Sequence, residues 1–321
     1  MGAGAAATSK HARVGLVLEQ PLVGPGNDPF QYGAYRGLVR AKRNLPIQAK
    51  AVAPSPTGVD TYAGPFDWLA RQHYDLTIGV GFLELMPLSR TAHRFPHRKF
   101  ALLDAPRQAI PGQPANVEGT IFHSEQAAYL AGFVAAKMAD RRGPPPHVIS
   151  SVGGIDLPPV EAYIAGFQAG ARRADPKIKL LNAFSNSFTA EAPCASAARA
   201  QIDRGSKVVF NVAGECGLGA LKTAKQRGVY GIGVDTDQSR LGTFILTSAI
   251  KNLNLAVYKL SNRLVHGRLR TGGNLSFNLR NHGVYLGRFS SLVPLSLRRE
   301  LRPLERQIKH GKIVIPSTLS P

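Results

Sequence analysis

The stretch Val208–Asp235, VVFNVAGECGLGALKTAKQRGVYGIGVD, decides the fold. It opens on a short apolar run, Val208–Val212, of strand length and rich in β-branched and aromatic residues. A turn at Gly214 leads into a helix-length segment, Leu218–Gln226, and Gly231–Asp235 is a second apolar run. A parallel strand pair needs a crossover, and an amphipathic helix supplies it, so this stretch reads as one βαβ unit of a parallel α/β layer.

The same alternation extends outward in both directions. Val14–Glu19 reads as the first strand, followed by a Pro/Gly-rich loop from Pro21 to Pro29 and a helix from Phe30 to Asn44. Gln48–Ala53 is a second strand, and the helix after it carries Tyr62, Phe66, Trp68 and Leu69. Leu76–Val80 and Phe100–Asp104 are the third and fourth strands. A second series begins after Val117–Phe122, with a helix at Ala127–Met138 and a break at Arg141 to Pro146. Strand His147–Val152, helix Val160–Arg172, strand Leu180–Phe184 and helix Ala195–Arg204 lead to the quoted unit. Beyond it come a strand at Phe244–Ile250, a helix at Leu253–Val265, strands within Leu275–Leu286 and a basic helix, Leu297–Lys309.

Two βα series of similar size thus follow one another, without a sequence repeat between them. The fold class is α/β, with two doubly wound lobes. The expected division takes residues 1–13 as a disordered N-terminal segment. Residues 14–120 with 248–275 form one lobe, and 121–247 with 276–321 the other. The strand-like crossings at about 117–124 and 244–252 are the expected hinges.

Composition narrows the class. A chain of 321 residues with 44% hydrophobic content suits two linked cores. No apolar run approaches the roughly 18 residues of a spanning helix. Met1–Arg13 lacks the basic start and apolar core of a signal peptide, so residence in the cytoplasm and export by a signal not visible in this chain both stay open. Lys and Arg number 40 against 20 acidic residues, a net charge of +20. Such a field can attract nucleic acid or an anionic membrane. The basic residues are dispersed and no nucleic-acid motif accompanies them, so the preferred reading is a solvated basic face, with no nucleic-acid partner expected. Cys194 and Cys216 belong to no C-x-x-C pair, which leaves two buried thiols or one disulfide.

In open α/β sheets ligands bind outside the carboxyl ends of the strands. The residues there are Asn27, Asp28 and Phe30 after the first strand, Phe82 after the third, and Asp104 at the end of the fourth. In the second series they are Phe188, Gly214, Asp235 and Lys251. Carboxylates accept hydrogen bonds from sugar hydroxyls or base N–H groups. Aromatic faces stack on planar rings. The set suits a neutral, polar, partly aromatic ligand better than a phosphate. Each residue also has a plain structural reading: Asp as a helix N-cap, Phe as core, Lys as a solvated cation. Their common position at strand ends is what points to a ligand site.

Catalytic motifs are scarce. The chain has no G-x-G-x-x-G, no P-loop and no G-x-S-x-G. Ser248-Ala249-Ile250-Lys251 matches S-x-x-K without its companion motifs, and reads as a strand end. Pro96 spoils His93 and His97 as a helical metal pair, and no Cys/His/Asp cluster has metal-ligand spacing. The expectation is no enzyme, no metal and no cofactor.

Eight short motifs then occur in order. They are Ile78-Gly79-Val80-Gly81-Phe82, Phe100 to Asp104, Tyr129-Leu130-Ala131-Gly132 and Gly153-Gly154-Ile155-Asp156, then Ala165 to Gly170, Gly217-Leu218-Gly219, Gly233 to Gln238 and Leu246-Thr247-Ser248. This series resembles the basic membrane protein family of ABC-transporter substrate-binding proteins, which includes a purine nucleoside receptor lipoprotein. The resemblance runs from about Val14 to Ile315. It implies a type I periplasmic-binding fold with the ligand in a cleft between two lobes. It also implies roles: Asn27 and Asp28 in the first ligand loop, Asp104 reading the base, Phe188 stacking, Gly214 as a cleft glycine, and Asp235 with Lys251 holding the ribose. Cys194 and Cys216 match a cysteine pair of some members, which implies a disulfide and an oxidising compartment. The first loop departs from the family's D-x-G-x-x-[DN]-D-x-S-F-N: Asn27, Asp28 and Phe30 survive, the Ser is gone and Pro29 enters.

The expected function is therefore capture of a nucleoside-like small molecule for an ABC permease, outside the cytoplasm and as a monomer. A ligand-sensing regulator on the same fold is the first alternative, and a nucleoside-processing enzyme the second.

Overall fold

A computed structural model describes residues 11–22, 28–54 and 63–319. In chain order it contains β1 (Ala12–Val17), α1 (Pro29–Asn44), β2 (Ile47–Val52), α2 (Ala63–Arg71), β3 (Leu76–Val80), α3 (Leu85–Arg94), β4 (Lys99–Leu103), β5 (Val117–Phe122) and α4 (Ser124–Asp140). There follow β6 (Val148–Gly153), α5 (Pro158–Ala174), β7 (Lys179–Phe184), α6 (Glu191–Asp203), β8 (Val208–Val212), α7 (Cys216–Gln226), β9 (Tyr230–Asp235) and β10 (Ile245–Lys251). The last elements are α8 (Leu253–Val265), β11 (Asn274–Phe277), β12 (Val284–Leu286) and α9 (Leu295–Lys309).

Among the described residues these strands form two six-stranded sheets, β11-β5-β4-β3-β1-β2 and β12-β10-β9-β8-β6-β7. Strands β2-β1-β3-β4-β5 pair in parallel, as do β7-β6-β8-β9-β10, so both sheets are wound with the same strand order. The central strands β3, β8 and β10 are buried along their whole length, as parallel strands covered on both faces must be. Helices α4 and α5 pack through glycine. A Cβ on Gly132 would collide with the Phe167 carbonyl, and one on Gly170 with that of Tyr129. Cys194 and Cys216 form a disulfide with Cα atoms 5.6 Å apart. It ties α6 to the start of α7, and in the chain-entropy picture contributes about 3 kcal/mol.

The chain divides into two compact units. The first is Met1–Pro21, Ala34–Thr120 and Asn254–Asn274, and the second is Leu22–Gly33, Ile121–Leu253 and Leu275–Pro321. Residues 28–33 and 248–253 thus group with the second unit, not with the first lobe where the sequence reading puts them. The reason lies in β10, which pairs with β9 and β12 as far as Ile250 and Lys251.

Other elements depart from the sequence reading. Residues 1–10 of the segment expected to be disordered lie outside the described residues, whereas Ala12 and Arg13 already pair with β2 in β1. Strand β1 ends at Val17, short of the expected Glu19. Tyr62 lies outside the described residues. Helix α3 was not anticipated, since Pro87 sits near its start and Glu84 makes no side-chain cap. Proline is tolerated in a first turn because the N–H it lacks is unpaired there anyway. The stretch Leu275–Leu286 is two short strands of different sheets around a 3-10 turn, Leu279–Asn281. Asn278 makes that turn: its side chain accepts from the Arg280 and Asn281 N–H groups, while the Asn281 side chain accepts from the Asn278 N–H.

Candidate functional site

In the first unit, Asp104 follows β4 with a left-handed backbone (φ 64). Its N–H donates to Thr120 Oγ1 at 2.9 Å, and that hydroxyl donates to the Leu102 carbonyl at 3.2 Å. Its side chain is thus held at the carboxyl end of the sheet while the backbone turns. Phe82 lies in a 3-10 turn, Phe82–Glu84, and packs against the core around Phe66, Leu69 and Leu102. Its plain core role is therefore filled. The sequence reading missed Glu84. Its Oε2 accepts the Val80 N–H at 2.7 Å, and its Oε1 has no hydrogen-bond partner among the described residues. Burial first, and then the charge of Glu19, push its carboxyl well above the ordinary value.

In the second unit, Lys251 ends β10 and is buried. Its Nζ lies 4.8 Å from the ring centre of Tyr163, 5.4 Å from that of Phe30 and 6.0 Å from that of Phe122. Such a three-ring enclosure favours a cation that has left water. Asp235 ends β9, also in the left-handed region (φ 61) and also buried. The Tyr163 hydroxyl lies 3.2 Å from Asp235 Oδ1 and 3.3 Å from the Ala249 carbonyl. Tyr163 therefore joins the carboxylate to the lysine enclosure. Beyond Asp235, burial alone would raise the Asp237 carboxyl. The Arg288 hydrogen bond at 2.7 Å and the Ser239 N–H hold it below its ordinary value instead.

Phe188 and Gly214 come together. The Gly214 backbone is left-handed (φ 54), and a Cβ there would sit 3.2 Å from the Phe188 carbonyl. That carbonyl accepts the Cys216 N–H at 2.9 Å, so the disulfide-bonded turn also positions the Phe188 loop. Asp28 caps α1, its Oδ1 accepting from the Phe30 and Gln31 N–H groups at 3.0 Å each. It thereby sets Phe30 over Lys251. Asn27 lies outside the described residues.

The structure thus groups Phe30, Asp235 and Lys251 in one cluster, and Phe188 with Gly214 in another. Tyr163 and Phe122 complete the first cluster and were missed. Tyr163 reads as an ordinary apolar position of its helix, and Phe122 as part of a crossing strand. Ser248 of the S-x-x-K match accepts the Gln238 N–H at 3.0 Å and is buried. It is three residues from Lys251 on one strand, so the two side chains point to opposite faces. No group of three or more metal-ligating side chains occurs among the described residues.

Two sheets, each with the parallel strand order 2-1-3-4-5, give the chain the type I periplasmic-binding fold. An ABC transporter solute-binding protein of Aeropyrum pernix superposes with a TM-score of 0.82 at 24% identity, over 96% of this chain and 94% of that one. A solute-binding protein of Agrobacterium vitis bound to α-D-tagatopyranose gives 0.65 at 16% identity, over 90% and 98%. The family model of PnrA-like ABC transporter substrate-binding proteins matches residues 22–318, and the chain belongs to that family. Basic membrane protein A of Borreliella afzelii is 30% identical over 308 residues, 95% of this chain and 91% of that protein. An uncharacterized lipoprotein of Pyrococcus abyssi is 27% identical, over 88% of this chain and 71% of that one. The family is one of substrate-binding proteins, which is not an enzyme class. Its members take a small-molecule ligand and an ABC permease as partners.

Proposed function

We propose that this chain captures a nucleoside-like molecule, a purine nucleoside first, and presents it to an ABC permease outside the cytoplasm, as a monomer and without covalent chemistry. The observation that carries the reading is the Asp235–Tyr163–Lys251 cluster. One buried carboxylate and one buried ammonium balance in charge, so the site suits a neutral ligand better than a phosphate. A sugar hydroxyl gives a hydrogen bond to the first and takes one from the second. Phe30 and Phe188 offer faces for a planar ring, and Asp104 an acceptor for a base N–H. The lipoprotein name of the archaeal relative supports the extracytoplasmic location.

Calorimetry with inosine, guanosine and adenosine tests this. The wild type is expected to bind at least one of them. Asp235→Ala or Lys251→Ala is expected to weaken binding roughly thirtyfold, the size of a lost hydrogen bond to a charged group. Unchanged affinity in both variants would sink the site. If no nucleoside binds, the nucleoside reading falls, and mass spectrometry of a co-purifying molecule identifies the ligand class. Release of free base on long incubation would make the protein an enzyme instead.

A further inference from the structure

The C-terminal helix α9 buries Leu297, Leu301, Leu304 and Ile308. At about 100° per residue these side chains share one face. The opposite face carries Leu295, Arg299, Arg302 and Arg306, at spacings of four, three and four residues, and all are exposed. Among the described residues the three guanidinium groups have no hydrogen-bond or ion-pair partner. The helix's two acidic residues, Glu300 and Glu305, fall on its flanks, and Glu305 is engaged by Lys309 at 2.7 Å. The outer face is thus a row of unneutralised arginines.

Two further features adjoin the row. Beside its last arginine lies a recess of about 300 Å³ lined by Pro303, Arg306, Gln307, His310 and Lys312. At the other end stand exposed apolar side chains, Leu292 (46%) and Leu295 (59%), and Val314 (90%) follows the helix. We propose that this face of α9 is a docking surface for an anionic phospholipid bilayer. The arginine row would lie along the headgroup phosphates, one phosphate would enter the recess, and Leu292 and Leu295 would dip into the interface. Exposed leucines flanking unpaired arginines fit the chemistry of an interfacial helix. A surface for single-stranded nucleic acid would call for aromatic side chains on which bases stack, and α9 has none.

The test is sedimentation of the full chain with vesicles of phosphatidylcholine alone or with 30% phosphatidylglycerol. Binding is expected only with the anionic lipid, and is expected to fall as NaCl rises. Each basic residue near an anionic surface strengthens binding about fivefold, so Arg299→Gln, Arg302→Gln and Arg306→Gln together should weaken it roughly a hundredfold. Leu295→Ser should cause a smaller loss. The melting temperature of each variant is expected to match the wild type, because the replaced side chains hold nothing. Equal binding to both vesicles, or an unchanged affinity in the triple variant, would overturn the proposal. So would displacement by inorganic phosphate beyond that caused by NaCl of equal ionic strength, which would make the recess a site for free phosphate. Tight binding to duplex DNA without vesicle binding would make it a nucleic-acid surface.

Discussion

Two turns, one in each unit, perform the same task with different chemistry. From the end of β3 the chain reads Gly79-Val80-Gly81-Phe82-Leu83-Glu84, and from the end of β9 it reads Gly233-Val234-Asp235-Thr236-Asp237-Gln238. In both, the side chain four residues after the valine reaches back to accept its N–H, at 2.7 Å for Glu84 and 2.9 Å for Gln238. In both, the glycine makes room. A Cβ on Gly79 would lie 2.6 Å from Glu84 Oε2, and one on Gly233 would lie 2.7 Å from Gln238 Oε1. The surroundings differ. Gln238 Oε1 also accepts from Asn211 Nδ2 at 3.2 Å, and the Gln238 N–H reaches Ser248. Glu84 accepts from the Val80 N–H, and among the described residues its second oxygen has no hydrogen-bond partner. The amide sits in a satisfied network, whereas burial pushes the carboxyl of the other turn toward its neutral form.

The largest expected effect is at Gln238. Gln238→Ala removes the acceptor for two buried donors, and is expected to cost about 3 kcal/mol in urea unfolding. Glu84→Ala removes one such bond and should cost less. Equal losses would mean that the two turns do not differ as described.

The second effect is the pH dependence that Glu84 gives the first unit. The folded-state pKa of Glu84 is raised, so its contribution is fully present below the ordinary value of 4.5 and is lost as pH rises toward the folded value. Across that window the folded state holds a proton that the unfolded chain has released. Stability should therefore fall by about 1.4 kcal/mol per pH unit from this group. Glu84→Gln copies the second unit and is expected to remove that slope. Parallel stability–pH curves for wild type and variant would rule the protonated carboxyl out.

The smallest effect sharpens the comparison at the site. Tyr163→Phe deletes the hydroxyl that lies between Asp235 and the Ala249 carbonyl. A loss of about 1 kcal/mol in ligand affinity, roughly fivefold, is expected with the melting temperature nearly unchanged. If the loss appears in melting rather than in affinity, Tyr163 serves the fold alone.

Much of the fold was legible. Strands β3, β5 and β8 and helix α8 have the expected bounds, because apolar runs between turn residues announce themselves. Helix α3 was hidden by Pro87, and the split of Leu275–Leu286 by the Asn278 capping turn. Within the candidate site, Asp235, Lys251 and Phe30 were found from their places at strand ends or at a helix start. Tyr163 and Phe122 were missed because nothing local distinguishes them from core aromatics.

The sequence by itself determined the α/β class, the two βα series and the family, since these follow from hydrophobic periodicity and an ordered set of short motifs. It also marked the strand ends where polar groups gather. Only the tertiary structure decided which of those groups meet. The Asp235–Tyr163 bond spans 72 residues of chain, so no local pattern encodes it. The same holds for the matched turns of Glu84 and Gln238. Six residues spell each turn, but what surrounds the acceptor, and hence how strongly burial penalises a charge there, comes from strands distant in sequence.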